Sequence, residues 1–249
     1  MNGQNPAIRF VGVSKSFGGK HVLDAVSFDV PQGAVCCILG RSGTGKSVTL
    51  KLLMGLLKPD SGEIFLNDLQ IEDLDSAHLV KARKKMGFLF QYSALFDSMT
   101  IGENVAFPLR RHTSMAEKEI QDKVRKRLAE VGLENELDHM PLELSGGMRK
   151  RAGLARALAL DPSILLVDEP SSGLDPITSK EIDTLLLSLK TEEKTTMVVV
   201  THNMSSARRI ADILIVLNEG HIVAQGSVDE MDRSKVDVVR QFMSASKGD

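Results

Sequence analysis

Residues 34–47, AVCCILGRSGTGKS, decide the reading of the chain. The apolar run 35–39 is short and partly β-branched, which suits a strand buried on both faces. A glycine-rich turn follows it, and from Ser47 to Leu57 apolar residues recur at helical spacing. In a strand–loop–helix of this kind, backbone N–H groups and the helix N-terminus converge on one point and make a cradle for phosphate oxygens. Gly40, Arg41, Ser42, Gly43, Thr44, Gly45, Lys46 and Ser47 fit the pattern G-x-x-x-x-G-K-[ST]. Average residue usage would produce that pattern in roughly one chain in a hundred of this length. Within the frame Lys46 reaches the β- and γ-phosphates of a nucleotide, Ser47 ligates Mg²⁺, and Val48 opens the helix behind the loop. The plain alternative, a glycine turn with no ligand, fits that setting poorly.

Working outward, short apolar runs at 87–90, 164–167, 197–200 and 213–217 alternate with helical patterns, the mark of a parallel sheet in an α/β protein. The first 30 or so residues differ: AIRFVGV and VLDAVSFDV alternate apolar with polar, as half-exposed antiparallel strands do. Between Tyr92 and Leu160 no buried strand is expected. Ser114-Met-Ala-Glu117 reads as a capping box, with Ile120, Val124, Leu128 and Val131 behind it at helical spacing, so this stretch predicts a helical insertion. The segment 244–249 reads as a frayed tail, and the basic run 81–85 as solvated helix surface rather than a binding patch.

Composition excludes other classes. With 31 basic against 33 acidic residues the formal charge is −2, and nine Phe, one Tyr and no Trp leave little for base stacking, so no nucleic-acid partner is expected. The two cysteines, Cys36 and Cys37, are neighbours on one strand and therefore point to opposite faces, which rules out their pairing and reads as two buried thiols. No apolar leader opens the chain and no run approaches the ~20 residues that span a bilayer, so a cytosolic chain with at most a peripheral membrane role is expected.

Downstream of the loop, ILLVDE (164–169) is a strand ending in two carboxylates. Beside a phosphate loop, Asp168 is placed to hold Mg²⁺ and Glu169 to polarise a water for attack on the γ-phosphate; read alone, the pair could simply cap the next turn. Leu144-Ser-Gly-Gly-Met148 puts Ser145 as an N-cap and Gly146 and Gly147 at the positive end of a helix, which alone is a well-capped helix start.

Together these motifs resemble the ABC-type ATPases, and the likeness runs from about Ile8 to Gln225. It implies an α/β P-loop NTPase, an ABC-type nucleotide-binding domain with a RecA-like core, an N-terminal antiparallel β-subdomain and a helical subdomain over about 92–160. The ATPase domain would occupy 1–233, followed by a C-terminal helix and tail at 234–249. The resemblance makes LSGGM the signature that completes the ATP site of a second, head-to-tail copy. It places Phe17 against adenine, Gln91 as the Q-loop residue on Mg²⁺, Asp175 in the D-loop between copies, and His202 as the switch residue on the γ-phosphate. Cofactors implied are ATP and Mg²⁺.

Two departures narrow the class: Met148 stands where the usual signature has Gln, and Val48 where the loop usually continues with Thr. With FQYSALFDSMTIGENVAFPLR (90–110) and SGGMRKRAGLARAL (145–158), they resemble the ATPases of Mce- and Mla-type lipid transporters. That likeness implies permease subunits docking near Gln91–Phe107, an Mce-domain protein, a STAS-domain protein, and a peripheral place on the cytoplasmic side of the bacterial inner membrane. Tyr92, Leu95, Phe96, Met99 and Phe107 offer the apolar docking surface, or else pack the helical insertion. The ATPase of another transporter class, or a soluble ABC protein, are the alternatives. The short span from Gln91 to Ser145 and the single cassette argue against the soluble one.

Overall fold

The structure, a computed structural model, describes residues 5–244. Strands β1 (Ile8–Phe17) and β2 (Lys20–Val30) form a hairpin, and β3 (Val35–Leu39) enters helix α1 (Lys46–Leu53) through the glycine loop. Strands β4 (Ser61–Leu66) and β5 (Leu69–Gln70) return to the hairpin, and α2 (Ser76–Arg83) precedes β6 (Met86–Leu89). Helices α3 (Ile101–His112), α4 (Glu117–Glu130) and α5 (Gly146–Leu158) follow, with a 3-10 turn at Pro141–Glu143. The chain then alternates through β7 (Ile164–Asp168), α6 (Pro176–Glu192), β8 (Thr196–Thr201), α7 (Met204–Ile210) and β9 (Ile213–Asn218). It closes with β10 (His221–Gly226), α8 (Val228–Asp232) and α9 (Asp237–Ser244).

Two sheets result. One is antiparallel, ordered β2-β1-β4-β5; the other is ordered β10-β9-β3-β8-β7-β6 and is parallel except where β10 meets β9. Every residue of β3 and β8 is buried, as the continuous apolar runs require, whereas β2 alternates and stacks Phe28 on Phe10 of β1 at 4.5 Å. Cys37 lies in the core shared with the helical region and Cys36 in the core between the two sheets, so the pair does face opposite ways. Burial pushes the Cys36 thiol up to about 12, and both thiols are free. Val239 and Met243 of α9 are buried in the core that also holds Ile210 and Met231.

Three strands escaped the sequence reading: β4, β5 and β10 are short or half-exposed and lack an apolar run. Between 92 and 160 the regular elements are helices and no strand occurs, but the cap of α4 is not at Ser114. The helix starts after Ala116, whose N–H donates to Glu119 Oε2 at 2.7 Å, while Glu117 is held by Arg110, with Nη2 to Oε1 at 2.5 Å. The basic run 81–85 is mostly surface, as read: Lys81, Lys84 and Lys85 are exposed, while Arg83 donates to the carbonyls of Met54 and Gly55, and Lys84 to that of His112. The tail predicted at 244–249 reaches the described residues only at Ser244, the last residue of α9.

Candidate nucleotide site

Chain geometry at the loop explains its glycines. Gly45 has φ 102°, and a Cβ there would sit 2.7 Å from the Val22 carbonyl oxygen and 2.8 Å from Leu23 Cδ2. The hairpin strand β2 thus lies directly on the loop, an approach only glycine permits. Lys46, 9% exposed, donates from Nζ to the Gly40 carbonyl at 2.7 Å and the Arg41 carbonyl at 3.1 Å. Burial lowers its pKa, and the charges of Glu169 and Asp168 oppose that shift. Thr44 Oγ1 closes the turn on the Arg41 carbonyl at 2.9 Å.

The register of β3, β8 and β7 brings residues far apart in sequence to this loop. Ser47 Oγ donates to Asp168 Oδ1 at 3.4 Å. Burial raises the Asp168 pKa, and the neighbouring Glu169 charge adds to it. Glu169 takes a left-handed backbone, φ 48°, which costs a residue with a Cβ ~1–2 kcal/mol. Its N–H donates to the Val200 carbonyl at 2.9 Å, and its Oε2 accepts the His202 backbone N–H at 3.2 Å. Glu169 Oε2 also lies 2.8 Å from His202 Nδ1, and Oε1 lies 3.8 Å from Lys46 Nζ. Gln91 Nε2 donates to Ser172 Oγ at 3.3 Å.

One cleft of 560 Å³ is lined by Arg41, Ser42, Gly43, Gly45 through Val48, Gln91, Glu169, His202 and Val22. Its chemistry is that of a polyanion site: the glycine loop and one buried ammonium share the cleft with the Glu169 carboxylate and a histidine. Ser145, Gly146, Gly147, Asp175 and Phe17 do not line it, nor do Gly40, Thr44 and Asp168, of which Asp168 joins it through Ser47. Ser145 caps α5 by accepting the Met148 N–H at 3.2 Å. Asp175 caps α6, accepting the N–H groups of Ile177 and Thr178 and the Thr178 hydroxyl. Phe17 is exposed on the hairpin, with Lys15 Nζ 5.5 Å from its ring centroid.

Two residues at the site had not been singled out. Val22 carries no sequence signal of its own. Lys150 carried one: it shares the buried stripe of α5 with Leu154 and Leu158 at i+4 and i+8. Its Nζ donates to the Glu169 carbonyl at 2.9 Å, and burial lowers its pKa to about 8 against the pull of Asp168 and Glu169.

Next to the cleft, the stretch after Gln91 divides the two readings of its apolar residues. Tyr92, Phe96 and Phe107 are exposed, the last two with rings 4.9 Å apart, whereas Leu95 packs against the core.

The family model for ABC transporters matches residues 23–172. The chain belongs to the ABC transporter ATPase family. It is 44% identical over 97% of its length, and over 70% of the relative's, to the probable ribonucleotide transport ATP-binding protein mkl of Mycobacterium leprae. With the intermembrane phospholipid transport system ATP-binding protein MlaF of Escherichia coli K12 it shares 40% identity, over 93% of this chain and 86% of MlaF. Among solved structures, a dimeric ATP-binding cassette in a post-hydrolysis state bound to ADP and Pi superposes with TM-score 0.82 at 34% identity, covering 88% of this chain and 98% of that one. This ABC ATPase therefore binds and hydrolyses ATP, and cassettes of the family dimerise and work with membrane subunits. Among the described residues no helix is long and apolar enough to cross a membrane.

Proposed function

We propose that this ABC ATPase is the ATP-driven subunit of an Mce/Mla-type phospholipid transporter. The observation that carries the cargo is the likeness to MlaF over 93% of the chain, in company with Met148 at the signature. The mkl relative's name points instead to ribonucleotides, and that cargo is the competing outcome.

In this reading two copies meet head to tail, each γ-phosphate held by Lys46 of one copy and by Ser145, Gly146 and Gly147 of the other. The α5 N-terminus suits that role: Ser145 and Gly146 are exposed at the positive end of a capped helix, with Gly147 seated on Thr178 just behind them. Phosphate oxygens would replace the carbonyls that Lys46 now holds. Glu169, already aimed by its turn, takes the proton of the attacking water, and His202, 2.8 Å from its carboxylate, orients both toward the γ-phosphate. Phe17 stacks on adenine from the hairpin, and Asp175 sets the course of the loop that meets its counterpart in the other copy.

The donor set fits Mg²⁺: the Ser47 hydroxyl in the cleft, the Asp168 carboxylate oxygen 3.4 Å behind it and the amide oxygen of Gln91, which also lines the cleft, are hard oxygen ligands. Ser47, Asp168 and Gln91 would hold it, and when bound it supplies charge neutralisation at the β- and γ-oxygens. Because the γ-phosphate makes contacts in the closed pair that ADP cannot, hydrolysis reopens the dimer.

Movement passes to permease subunits seated near Gln91–Phe107, where Tyr92, Phe96 and Phe107 are exposed. An Mce-domain protein and a STAS-domain protein complete the assembly, on the cytoplasmic side of the bacterial inner membrane. We assign 1–233 to the ATPase domain and 234–249 to a C-terminal element.

Affinity purification of the tagged chain from detergent-solubilised membranes, with mass spectrometry of proteins and lipids, tests this. A multi-spanning permease, an Mce-domain protein and bound phospholipid are the expected recovery. A permease of another class replaces the cargo, and a chain recovered without any membrane protein overturns the transport role.

A further inference from the structure

Lys150 is a charged side chain only 4% exposed, set among apolar neighbours on the inner face of α5. Burial of an ammonium is unfavourable unless a specific partner repays it. Here the partner is a backbone oxygen, the carbonyl of Glu169 at 2.9 Å, which also accepts the Ser172 N–H at 3.2 Å. On the other side of the same residue, the Glu169 N–H is fixed to the Val200 carbonyl at 2.9 Å. Glu169 thus sits in a left-handed turn, φ 48°, with both backbone polar groups held by different elements. A strained residue persists only where its surroundings impose the conformation. Without Lys150 that carbonyl keeps only the longer Ser172 bond at 3.2 Å, and the strained peptide is freer to relax toward right-handed backbone and swing the carboxylate away from His202.

We propose that Lys150 is a positioning residue for Glu169, holding the peptide that aims this carboxylate into the cleft and so joining it to the signature helix. The helix that Ser145 caps, facing the second copy's nucleotide, reaches the backbone carbonyl of the chain's own Glu169 little more than one turn later. This inference rests on the role proposed above for Glu169 and adds to it a route by which one half-site is tied to the other.

The test uses the full chain with Lys150→Met, which keeps length and burial but removes the donor, and with Lys150→Gln and Lys150→Arg beside it. Expected is a fall in kcat of about tenfold or more for Met, the scale of one lost charge-assisted hydrogen bond, with KM for ATP within about twofold and the melting temperature little changed. Arg restores most of the rate because it restores a charged donor. A merely structural lysine is separated by a cycle with Glu169→Gln: single-turnover hydrolysis by the double variant should equal that of Glu169→Gln alone, since there is no base left to aim.

Wild-type kcat in Lys150→Met overturns the proposal, as does an equal loss in both backgrounds, or loss of fold in both the Met and Gln variants. Normal hydrolysis by Glu169→Gln would instead overturn the assignment of the base itself.

Discussion

Gly147→Ala should destabilise the protein even though alanine is the better helix former. A Cβ at position 147 would lie within 3.0 Å of Thr178 Cγ2 and 3.7 Å from Thr178 Cβ. Thr178 cannot turn the methyl away cheaply, because its hydroxyl donates to Asp175 Oδ2 at 2.6 Å and its N–H to Asp175 Oδ1 at 3.0 Å. Forcing one methyl into such a contact costs ~1–3 kcal/mol, against a propensity gain of at most ~1 kcal/mol near a helix start. A net loss of ~1–2 kcal/mol would lower the melting temperature of a chain this size by roughly 2–8 °C. Thr178→Ser keeps the hydroxyl and deletes the methyl, so in that background the same Gly147→Ala change should be neutral or stabilising. Thermal unfolding of the four proteins in the cycle measures the sign change. Equal effects of Gly147→Ala in both backgrounds would refute the packing account. If stability returns in the double variant while ATP hydrolysis stays low, the glycine also serves close approach to phosphate.

Lys46→Ala removes the one ammonium inside the phosphate loop and should abolish most ATP binding in a fluorescent-nucleotide titration, with the fold retained. Glu119→Ala should cost ~0.5–1 kcal/mol in urea unfolding by removing the reach-back to the Ala116 N–H, and Ser114→Ala should be silent; the reverse order would restore the Ser114 cap. Arg110 holds the Glu117 carboxyl down at about 2, so their pairing stabilises the fold above the ordinary value of 4.5 and is lost as pH falls toward 2. Glu117→Gln should therefore lower the melting temperature at neutral pH, with the gap to wild type closing across that window. Arg156→Ala frees the carbonyls of Ser93 and Ala94, and should cost copurification of the membrane partner while basal ATP hydrolysis persists.

What could be read in advance follows a physical line. Residues 34–47, the opposed cysteines and the Ser145 cap depend on near neighbours, and the structure has them as read. Strands with continuous apolar runs were legible because a doubly buried strand has nothing else to be. Strand β10, HIVAQG, was not, since an edge strand half open to water carries no periodic demand. The α4 cap failed for a subtler reason. Ser114…Glu117 satisfies the local pattern, but Arg110, seven residues back, takes Glu117, and the helix begins where Glu119 can still turn round. Likewise the Glu169–His202 contact and the Lys150 bond exist only because β7 and β8 are adjacent and α5 packs inside them, facts about topology rather than spacing.

Helix α5 is where these longer-range facts meet. Ser145 caps its start, Lys150 reaches the Glu169 carbonyl, and Arg156 donates to the carbonyls of Ser93 and Ala94, both in left-handed backbone at φ 61° and 50°. Eleven residues of α-helix span ~16 Å and bend little when the intervening face is packed, as Ala152, Leu154 and Ala155 are here. A shift of the signature on closing against a second copy would therefore move the carboxylate's anchor and the Q-loop anchor together. Differential contact at one end is the only energy such a strut can deliver, so a ligand that meets Ser145 and Gly147 equally in open and closed pairs would move nothing. In the proposed dimer the γ-phosphate is the group that tells those two states apart.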